Sequence, residues 1–464
     1  MRVVGERFDL IVIGGGSAAR DAAKTAARGY GARVALVERE RWGGSCPNVA
    51  CNPTKAYLAA AELAHDVNEL APAMGIETGP ARVDLARVRA WKETLKKSQD
   101  AWVAELMAEG FATYTGEASF LDAHRVRVGG LVLEADRILI ATGSHTAVPP
   151  IDGIDEVGWI DHISALELTE LPASVLIVGA GAVGLEFGQV FSRFGAHVTI
   201  VDALERIAPA ADEEAAETLA EALADEGIRI ATSVFVQKAR RDGDEVVATI
   251  GPRDGDEAYE LRAETIMLAS GRVPNLEGLC LEAAGVETTK GGVAVDERLR
   301  SGVDGIWAAG DVNGLAQFTP AAQYEARVAV ADMFGEDGPS ADLSLLPTSI
   351  FTDPELGAVG LTEERAKEEG HDVGIGRNEH VRRFSYVNAK HGLFKVVFDK
   401  DSRRVLGLHV VSRNAGDIVQ GLSLGLRLGA TVDDLATMHH VFPTFGEGVK
   451  AAAEEALGMP LPSD

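Results

Sequence analysis

A strand, a glycine-rich loop, a helix, a second strand and a terminal acid follow one another twice along this chain. No other feature restricts the fold so strongly. Phe8-Asp9-Leu10-Ile11-Val12-Ile13 is an apolar run that reads as a buried parallel strand. It enters Gly14-Gly15-Gly16-Ser17-Ala18-Ala19; the pattern then predicts a helix over 20–28 and a strand over 33–37 that ends at Glu38, 24 residues after Gly14. Gly14 suits a tight turn, Gly16 a close approach of backbone to pyrophosphate, and Ala19 close helix–strand packing. Glu38 is placed to accept from a ribose hydroxyl, and the helix N-terminus offers amides to phosphate. The second copy has a strand over 175–178, the loop Gly179-Ala180-Gly181-Ala182-Val183-Gly184, a helix over 185–194 and the strand His197–Val201. It ends on Asp202, 23 residues after Gly179. One such loop is a weak signal, since a glycine turn in an unrelated α/β domain looks the same. Two complete copies predict two dinucleotide-binding domains. Asp202 favours a free 2′-hydroxyl and hence NAD, while Arg206, four residues on, leaves NADP as the alternative.

One βαβ unit after the first loop stands Gly43-Gly44-Ser45-Cys46-Pro47-Asn48-Val49-Ala50-Cys51-Asn52-Pro53-Thr54-Lys55. A disulfide needs Cα atoms roughly 4.4–6.8 Å apart. Five residues of straight α-helix rise about 7.5 Å, so bridging Cys46 and Cys51 needs a bend, which Pro47 and Pro53 suit. A loop this short stabilises a fold little. The pair therefore reads as a redox couple; two buried thiols, or half of a zinc site, are the other readings. Zinc wants tighter spacing and a second Cys/His pair nearby, so no resident metal site is expected.

At 464 residues the chain is too long for one core, and about three or four domains are expected. Its 44 Lys and Arg against 71 Asp and Glu give a formal charge of −27, which argues against nucleic acid and anionic membrane as partners. There are three cysteines, too few for a secreted disulfide scaffold, and Cys280 reads as a small buried hydrophobe. No signal peptide is legible, and no stretch approaches the roughly 20 apolar residues of a membrane span. The expected location is the cytoplasm.

Further segments resemble the FAD-dependent pyridine nucleotide–disulfide oxidoreductases, the family of dihydrolipoamide dehydrogenase, glutathione reductase and mercuric reductase. Residues 46–55 are similar to that family's Cys-x4-Cys-x-Pro-Ser-Lys, with Thr54 for Ser. Ala141-Thr142-Gly143 and Ala309-Gly310-Asp311 resemble its later FAD signatures, and Gly271-Arg272-Val273-Pro274-Asn275 the exit of its NAD domain. Thr352-Asp353-Pro354-Glu355 and Val359-Gly360-Leu361-Thr362 resemble the opening of its dimerisation domain. The resemblance implies an α/β fold of two Rossmann-like dinucleotide-binding domains plus a C-terminal α+β dimerisation domain. The implied divisions are an FAD-binding domain over 1–150, an NAD(P)-binding domain over 151–276, a central/FAD domain over 277–345 and an interface domain over 346–464. In the last, strands are expected over 393–398 and 405–411 and a helix over 415–428. The resemblance assigns the first loop to FAD and the second to NAD(P), Asp311 to the flavin's ribityl chain, and a Lys55–Glu186 pair to the neighbourhood of the ring. Each of those two charges, taken alone, also reads as ordinary surface charge. A homodimer is implied, with Cys51 facing the flavin and Cys46 as the outer, interchange thiol. Lys55 and the helix near it are expected to lower the thiol pKa.

Most family members end in His-x-His-Pro-Thr-x-x-Glu, whose second His is the acid–base residue. This chain reads His440-Val441-Phe442-Pro443-Thr444-Phe445-Gly446-Glu447. Pro443, Thr444 and Glu447 keep their places, but the acid–base position is Phe442, which carries no proton. His439 and His440 are substitute bases only if a shift of two residues is tolerated; otherwise both are structural or solvent-facing. The expected acceptor is therefore one that needs no general acid: a soft metal ion such as Hg²⁺, a low-pKa disulfide, or a quinone. Mercuric reductases carry Tyr here and a C-terminal Cys pair, whereas this chain ends Leu457-Gly458-Met459-Pro460-Leu461-Pro462-Ser463-Asp464. Other readings are a dihydrolipoamide dehydrogenase-like reductase with a substitute base, and a reductase/carboxylase similar to 2-oxopropyl-coenzyme M reductase, which shares the Phe but has His where Glu447 stands. A non-catalytic redox-sensing flavoprotein is the reading of another class.

Overall fold

The computed structural model describes residues 6–252, 257–335 and 340–459. The chain divides into two units. One is built from Met1–Pro53, Glu93–Ala147 and Arg272–Leu343, the other from Thr54–Lys92, Val148–Gly271 and Ser344–Asp464. The C-terminal residues 460–464 lie outside the described residues.

The first unit is centred on a five-stranded parallel sheet in the order Ile306–Ala308, Ile138–Ile140, Leu10–Ile13, Val34–Glu38, Ala112–Thr115. Leu10, Ile11 and Val12 have no solvent exposure, because both faces of the sheet are covered. On one face Ala18, Ala19, Ala22, Ala23 and Ala26 of the helix Ser17–Tyr30 meet Ala322, Ala326 and Ala329 of the helix Thr319–Met333. Side chains this small let the two helices approach each other and the sheet closely. On the other face Ile11, Ile13, Ala35 and Val37 pack under Phe120, Val126, Val128 and Leu133 of a second, four-stranded sheet. The first helix starts at Ser17, earlier than the pattern predicts, because Gly16 is extended and serves as its N-cap. It stops where Gly31 turns left-handed, at φ +66°, and its N–H returns to Ala26 and Ala27.

The second unit contains the other copy of the fingerprint. Its parallel strands run Arg229–Ala231, His197–Val201, Ser174–Val178, Thr265–Leu268. A three-stranded antiparallel sheet, Phe235–Asp242, Glu245–Gly251 and Tyr259–Ala263, covers one face through Val236, Ala239, Val246, Ala248 and Ile250. The helix Ala182–Phe194 covers the other, with Leu185, Phe187, Val190 and Phe191 buried. Residues from 346 onward build a five-stranded antiparallel sheet in the order Thr348–Ile350, Glu355–Gly360, Val405–Ser412, Leu393–Asp399, Val373–Asn378. The helices Ala415–Arg427 and Glu447–Ala456 pack on it through Val419, Leu426, Val449, Ala452 and Ala453. Within this unit Lys395, 2% exposed, donates to Asp212 at 3.0 Å, Glu214 at 2.7 Å and Glu363 at 2.8 Å.

Cys280 corrects an expectation. It is exposed, not buried, and adopts φ +53° as the residue preceding the short helix Leu281–Ala284. Leu281, the next residue, takes the inward position.

Candidate active site

The first fingerprint is held by backbone contacts that only glycine permits. Gly14 has φ +127°, and a Cβ there would lie 2.2 Å from the Ala141 carbonyl oxygen. Gly16 passes Gly44 so closely that a Cβ on Gly44 would lie 2.5 Å from the Gly16 Cα. Glu38 closes the motif: its Oε2 accepts from Gly15 N–H at 2.7 Å, and its Oε1 from Glu40 and Arg41 N–H at 2.8 and 3.1 Å. A cavity of about 60 Å³ opens between Gly14, Glu38, Gly116, Thr142, Asn275 and Leu279. Thr142 and Asn275 tie distant stretches of chain together. Thr142 Oγ1 donates to the Asn275 carbonyl at 2.7 Å, Asn275 Nδ2 donates to the Thr142 carbonyl at 2.9 Å, and Asn275 N–H donates to the Gly143 carbonyl at 2.9 Å. Gly143 takes φ +71° in that crossing, and Gly271 φ +117° just before the strand Arg272–Pro274.

Asp311 follows Gly310 at the end of the strand Ile306–Ala308. Ser144 donates to Asp311 Oδ2 at 2.5 Å, and Arg272 Nε donates to Ser144 Oγ at 2.8 Å. Glu325, fully buried, fixes the turn by accepting from Gly310 N–H at 2.7 Å and from Asn313 Nδ2 at 2.8 Å. Burial holds the Glu325 carboxyl above its ordinary value. Neither Ser144 nor Glu325 carries a sequence signal of its own; Glu325 becomes legible only as a buried acid on an alanine-rich helix.

The second fingerprint repeats the first. Gly179 has φ +114°, with the Ala269 carbonyl oxygen 2.4 Å from where a Cβ would stand. A Cβ on Gly184 would lie 1.9 Å from the Gly179 oxygen, and Gly181 caps the helix Ala182–Phe194. Asp202 accepts from Ala180 N–H at 2.6 Å and Leu204 N–H at 2.8 Å. Arg206 donates through its two terminal nitrogens to both carboxylate oxygens of Glu364, at 3.1 and 2.7 Å.

The two cysteines are separated by a break, not by continuous helix. Cys46 lies in the short helix Ser45–Val49, Ala50 departs to φ −134°, ψ −102°, and Cys51 opens the helix Cys51–His65. Asn48 braces the bend, with Nδ2 donating to the carbonyls of Trp42 at 3.0 Å and Gly44 at 2.7 Å. Both cysteines are partly buried. Cys51 Sγ lies 3.9 Å from Thr319 Oγ1, at the N-terminus of the helix Thr319–Met333. Cys51 thus has its own helix N-terminus and a neighbouring one, both favouring a thiolate. Thr319-Pro320 is the signal that marks this second helix start in sequence.

In the second unit Lys55 Nζ donates to both oxygens of Glu186, at 2.9 and 2.8 Å, and sits 4.2 Å from the centre of the Phe351 ring. Glu186, 5% exposed, also accepts from Phe351 N–H at 3.1 Å, so it is no surface charge. In the C-terminal segment Val441 and Phe442 are 77% and 74% exposed. Thr444 Oγ1 donates to the Val441 carbonyl at 2.9 Å. Burial raises the Glu447 carboxyl and lowers the His440 imidazole. His439 is exposed, and His440 is partly buried with Nε2 lacking a partner among the described residues. A separate cavity of about 440 Å³ is lined by His65, Arg193, Asp353, His391 and Arg413, but Glu226 and Asp353 already occupy its arginines.

Residues 8–326 match the family described as pyridine nucleotide-disulphide oxidoreductase, and residues 346–453 match that family's dimerisation domain. The chain belongs to the pyridine nucleotide-disulphide oxidoreductases. A mercuric reductase of Staphylococcus aureus is 36% identical, over 96% of this chain and 82% of that protein. Dihydrolipoyl dehydrogenase 2 of Arabidopsis thaliana mitochondria is 32% identical, over 98% and 91%. Among solved structures, the HOCl-induced flavoprotein disulfide reductase RclA from Escherichia coli superposes with a TM-score of 0.85 at 29% identity, over 96% of this chain and 99% of that one. This pyridine nucleotide-disulphide oxidoreductase is accordingly an enzyme that uses FAD and NAD(P)H. No helix among the described residues is long and apolar enough to cross a membrane.

Proposed function

We propose that this enzyme takes electrons from NADH and delivers them, through the Cys46–Cys51 pair, to an acceptor that needs no proton at the moment of reduction. The observation that carries this reading is Phe442, an exposed phenyl ring where the family pattern has an imidazole, between His440 and the retained Pro443, Thr444 and Glu447. In this reading the first fingerprint (Gly14, Gly16, Ala19, Glu38), with Thr142, Gly143, Gly310 and Asp311, holds FAD. The glycine cradle and the cavity beside Glu38 fit that group. When bound, FAD supplies the two-electron relay between nicotinamide and dithiol. The second fingerprint (Gly179, Gly181, Gly184, Asp202), with Gly271, holds the nicotinamide dinucleotide. Asp202 and the engaged Arg206 favour NADH over NADPH.

The chain's own groups then divide the work. Cys51, at two helix N-termini, is the inner thiolate. Cys46 is the outer thiol that meets the acceptor. The family resemblance assigns the Lys55–Glu186 pair to the neighbourhood of the flavin ring. Expelling an alkyl thiolate benefits from a proton donor, and general acid help is worth roughly 10²–10⁴-fold. Without it the favoured acceptors are a soft metal ion, a low-pKa disulfide or a quinone. The mercuric reductase relatives support the first of these. We place the enzyme in the cytoplasm as a homodimer joined through the dimerisation domain, with the four divisions expected from sequence.

The test is NAD(P)H oxidation with lipoamide, Hg²⁺, an aromatic disulfide, menadione and oxygen as alternative acceptors. Hg²⁺, the aromatic disulfide or menadione should exceed lipoamide in kcat/KM by roughly 100-fold or more, the lower end of what a lost acid costs. NADH should exceed NADPH. Lipoamide as the best substrate would overturn the reading.

A further inference from the structure

The break between the two cysteines is held by a closed ring of amide contacts, one member of which stands 51 residues away. Asn48 is 5% exposed, and its Nδ2 is committed to the carbonyls of Trp42 and Gly44. Its Oδ1 accepts from Gln99 Nε2 at 3.3 Å. Gln99 Oε1 in turn accepts from the Trp42 N–H at 2.7 Å, which closes the ring. Gln99 opens the helix Gln99–Ala108 directly after its N-cap, Ser98, so a regular element outside the turn fixes its place. Trp42 is anchored as well: it is 3% exposed, and its Nε1 donates to Thr115 Oγ1 at 3.2 Å. The same helix presents Trp102, whose ring leaves no room for a side chain at Gly43; a Cβ there would stand 2.7 Å from Cε2. None of these contacts involves a sulfur, so the bend they hold does not depend on a Cys46–Cys51 bond. That independence bears on the energetics of closing one. A straight helix sets Cα atoms five residues apart at about 7.5 Å, beyond the roughly 4.4–6.8 Å a disulfide accepts. The oxidised pair exists only in the bent turn, whereas the dithiol is free to be bent or relaxed. A brace on the bent form depletes the relaxed dithiol and shifts the equilibrium toward the disulfide.

We propose that Asn48 and Gln99 are positioning residues that hold the dithiol in the geometry of the disulfide, and so make the Cys46–Cys51 couple a stronger reductant than an unbraced turn would be. This rests on the reading of the two cysteines as a redox couple. The gain is in driving force and not in proton transfer, which suits a site with Phe442 at the acid–base position.

The test uses the full-length, FAD-loaded protein carrying Cys280→Ser, equilibrated without oxygen against mixtures of reduced and oxidised dithiothreitol. Reduced dithiothreitol gives two electrons and two protons to the enzyme disulfide; the enzyme becomes the dithiol and the reagent its cyclic disulfide. Acid quenching, alkylation of free thiols and peptide mapping then give the fraction of Cys46–Cys51 in each form. Gln99→Met keeps the length of the side chain and removes both of its contacts. It should lower the equilibrium constant for disulfide formation about tenfold, equivalent to about 30 mV. Asn48→Asp, which sets an oxygen against two carbonyls, should lower it further. Gln99 is an exposed residue, so the FAD content and thermal unfolding midpoint of Gln99→Met should match those of the parent. A constant that Gln99→Met leaves unchanged would overturn the proposal and leave the redox couple standing. A fall seen only together with loss of FAD and of stability would also overturn it, marking a merely structural role. Should Asn48→Asp fail to hold FAD, Gln99→Met alone decides. A parent protein that forms no Cys46–Cys51 disulfide in any mixture would overturn the redox reading itself, and the proposal with it.

Discussion

At the scale of single residues, the proposed choice of acceptor turns on what position 442 lacks. Phe442→His restores an imidazole between His440 and Glu447, and the Glu447 carboxyl, raised by burial, is available to it. Lipoamide turnover should rise toward the roughly 10²–10⁴-fold that general acid–base help supplies. Activity with Hg²⁺ or an aromatic disulfide should change little. Steady-state kcat/KM for the two acceptor classes checks this; an unchanged lipoamide rate would mean that the segment does not reach the sulfurs. Residues of this kind are legible in sequence when the backbone demands them. Gly14 and Gly179 announce their strained turns through the spacing of the loop, and Glu38 and Asp202 through the length of one βαβ unit. Gln99 is not legible, because its meeting with Asn48 depends on how the helix Gln99–Ala108 packs on the cysteine turn. Cys280 was misread for a related reason: a small apolar residue type says nothing about which way a turn will face.

At the scale of elements, the periodic patterns carry well. The strands over 393–398 and 405–411 and the helix over 415–428 appear as Leu393–Asp399, Val405–Ser412 and Ala415–Arg427. The ends shift where a cap, not the hydrophobic pattern, decides them, as Gly16 does for the first helix. What the pattern hides is the cation inside a strand. Lys395, in an otherwise apolar run, is buried against Asp212, Glu214 and Glu363, on elements distant in sequence. Lys395→Met removes the buried cation of a cluster in which Arg377 also pairs with Glu214 and Lys367 with Glu363. Breaking a buried ion cluster from one side costs about 3 kcal/mol or more, so a clear fall in the thermal unfolding midpoint is expected. Lys395→Arg should recover part of it. Calorimetry on the three proteins decides the matter.

At the scale of the whole molecule, the same cluster links stability to pH. The hydrogen bond from Arg377, with help from Lys395 and against the effect of burial, holds the Glu214 carboxyl at about 2 instead of its ordinary 4.5. The unfolded chain therefore takes up this proton first. The stabilisation is complete above pH 4.5 and is lost as the pH falls toward about 2. Asp353 and Glu363, also lowered, act in the same sense. Glu62, Glu325 and Glu355, raised by burial, act in the opposite sense and are relieved by acid. Glu214→Gln should flatten the decline of stability over that window, as followed by chemical denaturation at a series of pH values. The acceptor is the part of the molecule least legible from either sequence or fold. It is set by a few side chains around one sulfur, while hundreds of others serve to hold two nucleotide cradles and a sheet in place.

The grip of Glu364 on Arg206 has a consequence for how this enzyme can change its dinucleotide. Replacing Asp202 by a neutral residue removes the repulsion of a 2′-phosphate but leaves the nearby guanidinium committed elsewhere. Preference for the phosphorylated coenzyme is therefore a two-locus trait: Asp202→Ala alone should weaken NADH without recruiting NADPH, and only its combination with Glu364→Ala should lower the NADPH KM. A lineage drifting toward the other coenzyme would have to cross the poorer single substitution first, which would make the proposed NADH preference slow to reverse.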